Sequence, residues 1–558
     1  MKLLSYIQLP ILHAALTACS GSSPPTATVV SGPIFGAAVD LPGAPGPVNK
    51  FLGIPYAEKP ERFALPQPPR KWKDPKDATA FGSSCHQLAV TNGMFRIDPG
   101  AASEIIGQLT WLSDVGPEQD LVDYFRTYPK ESEDCLFINA FAPATPGPPG
   151  GRPVVFYIHG GGWSLGNGLY DLSGFAGYED IVAFTFNYRT NSVYILPKRP
   201  LGPGRGTNRL ALQWVQQNAK AFGGNPSKVT VWGLSAGSLS TDILMHAYAG
   251  VEKPPFRGAI MSSGEYSFSM WGFAADPRDT SQWDNIAKAA GCNRNKIQCL
   301  RELSPEKLLD AAVKVGASFT PIQDNKAVPS GRATAWRQGK VAKVPLLAGT
   351  TAQEGRSLVG PHISLEKFDQ VYLAEPLVTK KNRDAIHEYY RKQPNVESNF
   401  DLASLIYTDL LWQCPMRKLT TISSSIKNPT WRYYFNISMT EMLPKKYQYV
   451  GKSHGIDILL LFGSPTYHGS SSANGLYTPV LSRFLTYWRG AIGKFVRDPS
   501  GGPGWPTVGS SSAPFDIVSL GDVGSVHSAG ATPVNQTEVD VRCGVLWDVL
   551  DRIEKRTG

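Results

Sequence analysis

The chain has 558 residues, with 55 Lys or Arg against 46 Asp or Glu, so its formal net charge is +9. Apolar side chains make up 42% and charged ones 18% of the chain, which indicates a globular protein and excludes a disordered or collagen-like one. The length excludes a small disulfide-stapled scaffold. The positive charge is spread along the chain without a long Lys/Arg block, so no nucleic-acid partner is expected.

The N-terminal apolar stretch runs from Leu3 to Cys19 and is interrupted by polar residues and a proline. It is too short for the roughly 20 apolar residues of a membrane span, and it is typical of a signal peptide, which we place at residues 1–20. The segment Leu16-Thr-Ala-Cys19 also fits a bacterial lipoprotein signal, in which Cys19 is lipidated. We therefore expect a secreted protein without a stable membrane span, or a lipoprotein if the source is bacterial.

Short β-rich segments alternate with helix-length periodic segments from about Lys50 onward, which predicts an α/β fold with a mostly parallel sheet. Strands are predicted at residues 153–158, 181–187, 228–232, 344–348 and 431–437. Helices are predicted at residues 210–222, 239–248 and 543–555. No repeat or linker divides the chain, so residues 21–558 are predicted to form one domain with long loop insertions.

Cysteine usage also favours export. Beyond Cys19 the chain has an even number of cysteines, namely Cys85, Cys135, Cys292, Cys299, Cys414 and Cys543. Their spacing matches no zinc site, so disulfides rather than metal ligands are expected. Six cysteines allow 15 pairings, and spacing does not choose among them. Two sequons, at Asn436 and Asn535, are candidate glycosylation sites.

The segment Gly233-Leu-Ser-Ala-Gly237 lies between a predicted strand and a predicted helix. The pattern G-x-S-x-G in that position predicts a nucleophile elbow, a sharp turn that exposes the hydroxyl of Ser235. The two glycines avoid the clashes that Cβ atoms would cause, and the helix N-terminus directs free amides at the site. A chance match in an ordinary turn is the alternative, which the strand and helix on either side disfavour.

A second glycine motif, His159-Gly-Gly-Gly-Trp163, follows the predicted strand at residues 153–158. Successive glycines let the backbone approach a substrate, and the amides of Gly161, Gly162 and Ala236 are predicted to surround an oxyanion. The alternative is a phosphate-binding loop. It is disfavoured because no Gly-Lys-Ser/Thr sequence follows.

A serine nucleophile needs a general base, and the base needs a carboxylate that orients it. Among nine histidines, His454 is the best candidate, because it lies in a loop just before an apolar segment. Glu354 follows the predicted strand at residues 344–348, where an α/β-hydrolase carries its acid. The chain order Ser235, Glu354, His454 is the order of that fold.

Together with further segments, these motifs resemble the type-B carboxylesterases, a family that includes cholinesterases and large fungal lipases. Residues 132–139 are similar to the second signature of that family, and residues 51–57, 187–189, 210–215, 221–229 and 261–264 are similar to its other landmarks. The resemblance implies an α/β-hydrolase fold in which Ser235 is acylated. It also implies that His454 acts as base and then as acid, and that Glu354 orients it.

The resemblance further implies three disulfides: Cys85 with Cys135, Cys292 with Cys299 and Cys414 with Cys543. Trp163 and Trp271 match the surroundings of the acyl pocket of the family, with core packing as the alternative. The loop at residues 86–134 corresponds to a mobile lid in fungal lipases, with a fixed cover as the alternative. The family usually has Glu before the nucleophile, where this chain has Leu234. An apolar residue there disfavours a cationic choline ester.

The sequence therefore predicts a secreted serine hydrolase that acts on a small, uncharged and fairly apolar ester without a metal or an organic cofactor. Two alternatives remain open. The acyl-enzyme can pass its acyl group to an alcohol, as in an acyltransferase or a tailoring enzyme of a biosynthetic pathway. The chain can also be a non-catalytic, cholinesterase-like binding protein, although such relatives typically lose a member of the triad.

Overall fold

A computed structural model describes residues 23–87, 131–191, 205–272, 279–317, 319–323, 325, 328–438, 440, 445–462, 479–510, 515–521 and 530–557. The predicted signal peptide, including Cys19, lies outside the described residues. So does most of the predicted lid at residues 86–134, of which only residues 86–87 and 131–134 are described.

Two sheets are present in the described part of the chain. Their strands are β1 (Thr26–Val29), β2 (Gly32–Phe35), β3 (Ala37–Val39), β4 (Val48–Pro55), β5 (Lys76–Asp77), β6 (Phe137–Pro143), β7 (Arg152–Ile158), β8 (Val182–Phe186), β9 (Gly224–Leu234), β10 (Gly258–Ser262), β11 (Leu346–Thr351), β12 (Thr430–Phe435), β13 (Ile517–Leu520) and β14 (Ala531–Val534). Strands β1, β2 and β5 form the small sheet, and the others form an 11-stranded sheet.

The strand order of the large sheet is β14-β13-β12-β11-β10-β9-β7-β8-β6-β4-β3. Neighbours from β8 through β13 are parallel, and the strands beyond them at both edges pair antiparallel. Because parallel strands run in one direction, the carboxyl ends of β7, β9, β10 and β11 meet at one edge. The mostly parallel sheet expected from the sequence is therefore confirmed.

Helices connect these strands across both faces of the large sheet. They are α1 (Ser173–Glu179), α2 (Arg205–Asn218), α3 (Ala236–Ala247), α4 (Ser281–Ala289), α5 (Lys296–Glu302), α6 (Pro305–Lys314), α7 (Arg332–Arg337), α8 (Leu365–Tyr372), α9 (Lys380–Arg391), α10 (Asn399–Thr408), α11 (Cys414–Ser425), α12 (Ile456–Phe462), α13 (Pro479–Arg497), α14 (Gln536–Val539) and α15 (Trp547–Thr557). Among the helices of the described residues, none has the length and apolar character that a membrane span needs.

The core lies on both faces of the sheet, as β7 illustrates. Its β-branched and aromatic residues favour a strand, and successive side chains point to opposite faces. Val154, Phe156 and Ile158 pack into one hydrophobic cluster, whereas Val155 and Tyr157 pack into the other. Burial on both faces explains why this strand is a continuous apolar run.

The predicted strands and helices are present, with changes at their ends. The helix predicted at 210–222 begins at Arg205 and ends in a 3-10 turn, Ala219–Phe222. The strand predicted at 344–348 runs from Leu346 to Thr351, because its polar end pairs with β12 throughout. The helix predicted at 543–555 is a 3-10 turn, Val541–Leu546, followed by α15.

Three disulfides are present, and they are the pairs that the family resemblance implies. Their S–S distances are 2.02 Å for Cys85–Cys135, 1.94 Å for Cys292–Cys299 and 1.97 Å for Cys414–Cys543. The last one joins residues that are 129 apart in sequence, and it ties the start of α11 to the turn before α15.

Candidate active site

Ser235 lies on a sharp turn between β9 and α3. Its backbone has φ 55° and ψ −123°, a combination that is costly for a residue with a side chain and that is found at functional sites. Its amide donates to the carbonyl of Ser262 at 2.9 Å, which fixes the turn against the end of β10. Because α3 begins at the next residue, Ser235 lies at a helix N-terminus whose amides are free to stabilise negative charge.

Backbone crowding explains the two glycines that flank Ser235. A Cβ atom on Gly233 would lie 2.1 Å from the carbonyl oxygen of Gly237, and one on Gly237 would lie 2.0 Å from the carbonyl oxygen of Ile158. Both distances are far below van der Waals contact, and both neighbours are backbone atoms that cannot rotate away. The motif therefore allows β9, α3 and the end of β7 to come into direct backbone contact.

The loop after β7 lies against the nucleophile. A Cβ atom on Gly160 would lie 3.0 Å from the Cβ of Ser235, which is tighter than ordinary van der Waals contact, so glycine favours this close approach. Gly161 and Gly162 have positive φ values of 109° and 60°. Within the part of the chain that the structure describes, their amides and that of Ala236 have no hydrogen-bond acceptor. The three amides predicted to stabilise an oxyanion are thus available next to Ser235.

His159 supports this loop from behind. Its ring is parallel to that of Tyr188, with centroids 4.0 Å apart, and its Nδ1 lies 2.8 Å from the carbonyl oxygen of Gly160. Burial lowers the pKa of His159 to about 4, so the imidazole is neutral at physiological pH. His159 is therefore a structural neighbour of the glycines and not a candidate base.

Glu354 and His454 form a hydrogen-bonded pair that is mostly buried. Nδ1 of His454 lies 2.6 Å from Oε2 of Glu354, and the carboxylate is completely buried. The other carboxylate oxygen accepts from Oγ of Ser263 at 2.7 Å and from the amide of Thr351 at 2.7 Å. Nε2 of His454 is buried and has no hydrogen-bond partner among the described residues, so it is free to exchange a proton with a substrate or nucleophile.

Short contacts connect the serine to this pair. Ser262 accepts from the amide of Ser235, and the next residue, Ser263, donates to Glu354. Leu234 and Gly455, the neighbours of the nucleophile and of His454, also approach each other, since a Cβ on Gly455 would lie 3.6 Å from Leu234. The structure thus brings the three predicted residues to the carboxyl edge of the sheet.

Sequence reasoning missed Asp457, a second buried carboxyl group near the site. Its Oδ2 accepts from the hydroxyl of Tyr433 at 2.8 Å, and the same hydroxyl lies 2.8 Å from Oγ of Ser262. Burial raises the pKa of Asp457 to about 7, with Glu354 adding to the rise and the Tyr433 hydrogen bond opposing it. Its place three residues after His454 was the available signal.

Sequence reasoning also missed Ser263 and Trp412. Ser263 belongs to a segment similar to a family landmark, but nothing local indicated that it bonds to Glu354. Trp412 lies two residues before Cys414, and its ring centroid is 4.4 Å from that of His454. No motif marks this contact, because it depends on how two distant segments pack.

The two predicted pocket residues are both buried. Trp163 is 2% exposed; its ring packs edge-on against Tyr266, and its Nε1 donates to Oγ of Ser240 at 3.1 Å. Trp271 is 5% exposed and packs against Trp412, with ring centroids 5.4 Å apart. These contacts place both indoles in the core next to the site.

The described base of the predicted lid is joined to the glycine loop. Next to the Cys85–Cys135 disulfide, the side chain of Gln87 hydrogen-bonds both the amide and the carbonyl of Gly166. The carbonyl of His86 accepts from the side chain of Asn191 at 2.6 Å. The amino end of the loop therefore lies beside the glycine loop.

The two sequons differ in their surroundings. Asn436 follows β12, and its side-chain oxygen accepts from Nζ of Lys452 at 2.6 Å. Asn535 caps the short helix α14, and its side-chain oxygen accepts from the amide of Thr537 at 2.9 Å. Both asparagines are half-buried, and modification of either one stays a prediction.

The described residues also bear on whether the site could hold a metal ion. Within the described ranges, no group of three or more His, Cys, Asp or Glu side chains is arranged to hold a metal ion. A free imidazole nitrogen, a buried carboxylate and a serine at a helix N-terminus are instead the groups of nucleophilic acyl chemistry.

A groove of about 1280 Å³ lies at the other edge of the sheet. Its lining includes Pro226 near the start of β9, Arg257 just before β10 and Val344 shortly before β11. These are the amino ends of strands whose carboxyl ends carry the site. The groove is therefore separate from the candidate active site.

Comparisons with known proteins show the family to which the chain belongs. The model of the carboxylesterase family matches residues 23–520. The chain is 31% identical over 439 residues to a para-nitrobenzyl esterase of Bacillus subtilis (strain 168), which covers 75% of this chain and 80% of that protein. It is 29% identical over 468 residues to a cholinesterase of Mus musculus, which covers 76% of this chain and 72% of the relative.

A solved structure, that of PNB esterase, has a TM-score of 0.67 and 25% sequence identity to this chain, and covers 94% of this chain and 100% of its own. The α/β-hydrolase fold and the type-B carboxylesterase resemblance expected from the sequence are thereby confirmed. The chain belongs to the carboxylesterase family and is a carboxylic ester hydrolase.

Proposed function

We propose that the protein is a secreted serine esterase that hydrolyses an uncharged, fairly apolar ester through an acyl-enzyme on Ser235. The observation that carries the proposal is the hydrogen-bonded pair of Glu354 and His454, whose atoms lie 2.6 Å apart and whose imidazole has a free Nε2. A carboxylate held at Nδ1 fixes the tautomer in which Nε2 accepts a proton.

In the acylation step, the hydroxyl oxygen of Ser235 attacks the ester carbonyl and transfers its proton to Nε2 of His454. Glu354 stabilises the imidazolium that forms, while Ser263 and Thr351 hydrogen-bond to its other oxygen. The imidazolium then protonates the leaving alcohol. The result is an ester bond to Ser235 and a released alcohol.

Negative charge develops on the carbonyl oxygen in this step. We assign its stabilisation to the amides of Gly161, Gly162 and Ala236, at the loop after β7 and the start of α3. Donors that are fixed before the reaction need no reorganisation as the charge forms, and removal of one such donor costs about 2.7–4 kcal/mol in related chemistry.

Deacylation repeats the same steps with water. His454 accepts a proton from the water molecule that attacks the acyl-enzyme, and it returns this proton to Ser235 as the carboxylic acid leaves. The protein supplies nucleophile, base and anion stabilisation, so the reaction needs no metal or organic cofactor.

The proposed substrate class rests on Leu234, which is 6% exposed and packs beside Gly455 next to the nucleophile. A carboxylate there would favour a cationic alcohol group, whereas a leucine offers only apolar contact. We expect a choline ester to react no faster than its uncharged isostere with a carbon in place of the nitrogen. A preference of tenfold or more for the choline ester would contradict this assignment.

Secretion and domain organisation are part of the same proposal. Three disulfides fit an oxidising compartment. We assign residues 1–20 to a signal peptide and residues 21–558 to one catalytic domain, with Asn436 and Asn535 as candidate glycosylation sites. Mass spectrometry of the secreted chain would locate its first residue and any glycan.

The direct test is Ser235→Ala, with Ser281→Ala at an exposed serine as the matched control. We expect S235A to lose hydrolysis of short nitrophenyl esters and covalent labelling by a fluorophosphonate, and S281A to keep both. Turnover by S235A at the wild-type rate would refute the assignment. Product analysis with and without an acceptor alcohol separates hydrolysis from acyl transfer.

A further inference from the structure

Trp412 contacts the candidate base, and nothing in the proposed mechanism uses it. Its ring centroid lies 4.4 Å from that of His454, with an angle of 41° between the planes. The side chain is 1% exposed. Its Nε1 is buried and has no hydrogen-bond partner among the described residues. The faces of this indole, rather than its N–H group, therefore make its contacts.

An unusual helical segment holds the indole in place. Residues Asp409–Gln413 form a π-helical turn between α10 and α11, a feature that is rare and often found at functional sites. At the start of the turn, the carboxylate of Asp409 accepts from Tyr390 at 2.8 Å and from Arg542 at 2.6 Å and 3.0 Å. Just after the turn, Cys414 is bonded to Cys543.

The end of the turn is tied to the strand that leads to Glu354. The side-chain Nε2 of Gln413 donates to Oδ1 of Asp540 at 2.7 Å, and its Oε1 accepts from the hydroxyl of Thr350 on β11. Asp540 also forms a buried pair with Arg432. The acid and the indole that flank His454 are thus held by one network of side chains.

Helix α10 also packs directly on the turn that carries Glu354. The amide of Gly355 donates to Oγ1 of Thr408 at 2.9 Å, and a Cβ on Gly355 would lie 2.2 Å from the carbonyl oxygen of Ser404. This close backbone contact fixes the distance between α10 and Glu354. The position of Trp412, one turn further along the same helical segment, is fixed with it.

The contact bears on charge as well as on position. A cation near the face of an indole is stabilised, by up to about 2 kcal/mol when water is excluded. His454 becomes a cation when it accepts a proton. Among the described residues, the titratable groups that interact with it are Glu354, hydrogen-bonded to Nδ1, and Asp457, which lies close enough to act electrostatically. Trp412 adds stabilisation without competing for the proton.

We propose that Trp412 is a positioning residue, which holds the imidazole of His454 for proton transfer and stabilises its protonated form through its aromatic face. The inference deepens the proposed function, because it rests on His454 as the base. It predicts that an aromatic replacement of Trp412 keeps most of the esterase activity, whereas an apolar replacement of similar bulk loses much of it.

The test compares Trp412→Phe and Trp412→Leu, with Trp431→Leu as the control. Trp431 is also buried, but it lies at the amino end of β12, where it packs against Phe495. We expect W412L to lower kcat/KM by about five- to thirtyfold, mainly in kcat, and W412F to stay within about threefold of wild type. W431L is expected to lose stability but to keep the wild-type pH profile.

The pH profile separates an electrostatic role from a packing role. Because the protonated imidazole loses stabilisation in W412L, more acid is needed to protonate it. We therefore expect the acid limb of kcat/KM to move to lower pH in W412L and to stay in place in W412F and W431L. The proposal would be overturned if W412F and W412L lost kcat/KM equally. It would also be overturned if the acid limb of the kcat/KM profile of W412L stayed at the wild-type pH.

A second measurement does not depend on Ser235 as the nucleophile. A protonated imidazole quenches an adjacent excited indole. The difference in fluorescence between S235A and S235A/W412F gives the emission of Trp412, and this emission should fall on acidification. This change should disappear when His454 is replaced by Gln. If S235A stays active but quenching is present, the proposed function fails and this inference stands. If quenching is absent, this inference fails.

Discussion

The elbow at Ser235 and the π-helical turn at Trp412 both contact the segment of the candidate base, and they are built in different ways. The elbow is made of backbone atoms, and its shape depends on Gly233 and Gly237, whose Cβ positions are filled by carbonyl oxygens. The turn is made of side-chain contacts, which come from β11, α9 and the segment before α15. The elbow is formed mainly by residues that are close in sequence, whereas the turn is held by residues that are distant in sequence.

This difference predicts how each region responds to substitution. Backbone atoms cannot rotate away from a clash, so a single added methyl group at the elbow should remove most of the stability and the activity. Around the turn, each substitution removes one hydrogen bond, ion pair or disulfide and leaves the other contacts in place. We therefore expect an abrupt response at the elbow and a graded response around the turn.

The largest expected effect is that of Gly237→Ala. The new Cβ would lie 2.0 Å from the carbonyl oxygen of Ile158, so β7 and α3 would have to separate. We expect a loss of more than about 4 kcal/mol in the free energy of unfolding and no detectable esterase activity. Gly360→Ala is the control, because no atom lies within 4 Å of its added Cβ. A folded and active G237A would show that the elbow tolerates gradual change.

Removal of the Cys414–Cys543 disulfide by a double substitution to Ala should have an intermediate effect on esterase activity, which it should lower but not abolish. The bridge closes a loop of 129 residues, which is worth about 5 kcal/mol in the chain-entropy model, against about 2 kcal/mol for the Cys292–Cys299 bridge, whose separation is 7. Urea unfolding of both double variants measures the difference. Only the loss of the Cys414–Cys543 bridge should also lower kcat. Equal effects of the two double variants on kcat would contradict a role for the π-helical turn in the site.

Asp457→Asn should produce a smaller effect that depends on pH. Burial raises the pKa of Asp457 from 3.8 to about 7, so the folded protein keeps the proton that the unfolded chain loses. The wild type therefore loses stability as the pH rises from about 4 to about 7, and Asn removes this penalty. The free energy of unfolding of D457N, relative to wild type, should increase across that interval.

The control for D457N is Asp384→Asn, at an exposed carboxylate whose hydrogen bond with Lys380 lowers its pKa. Above about pH 4 that group is ionised in both folded and unfolded chains, so its replacement should show no such increase. If the free energy of unfolding of D457N relative to wild type did not change between about pH 5 and about pH 8, the carboxyl group of Asp457 would be ionised in the folded protein.

The smallest expected effect is that of Trp163→Phe. The change keeps an aromatic ring beside Tyr266 and removes the hydrogen bond to Ser240, which is worth about 1 kcal/mol. We expect a small loss in stability and an unchanged preference for acyl length, because the indole is 2% exposed. A shift in the acyl-length profile would instead assign Trp163 to the acyl pocket.

The elbow, the glycine loop and the positions of the predicted strands could be predicted because each depends on neighbouring residues. Glu354 and His454 could be predicted from their places after a strand and before an apolar helix. Trp412 could not, because its contact with His454 depends on Asp409, Gln413 and their distant partners. Asp457 was visible in the His454 segment, but only its burial reveals its raised pKa.

The disulfide pairing shows the same limit. Spacing left 15 pairings open, and the family resemblance implied the three that the structure contains. The predicted helix at 210–222 also began too late, since its first turn contains Gly206 and polar residues that hide the helical pattern. Local patterns therefore predicted the proposed catalytic groups, but not the contacts that hold them.

The ties between Asp409 and Arg542, Gln413 and Asp540, and Cys414 and Cys543 have a consequence for biosynthesis. During synthesis, residues 540–543 leave the ribosome after Ser235, Glu354 and His454. A nascent chain thus contains every proposed catalytic group before the support of its base is complete. Full activity should then appear only after the segment at 540–543 has docked and its cysteine has been oxidised, which would delay ester hydrolysis until the chain reaches an oxidising compartment.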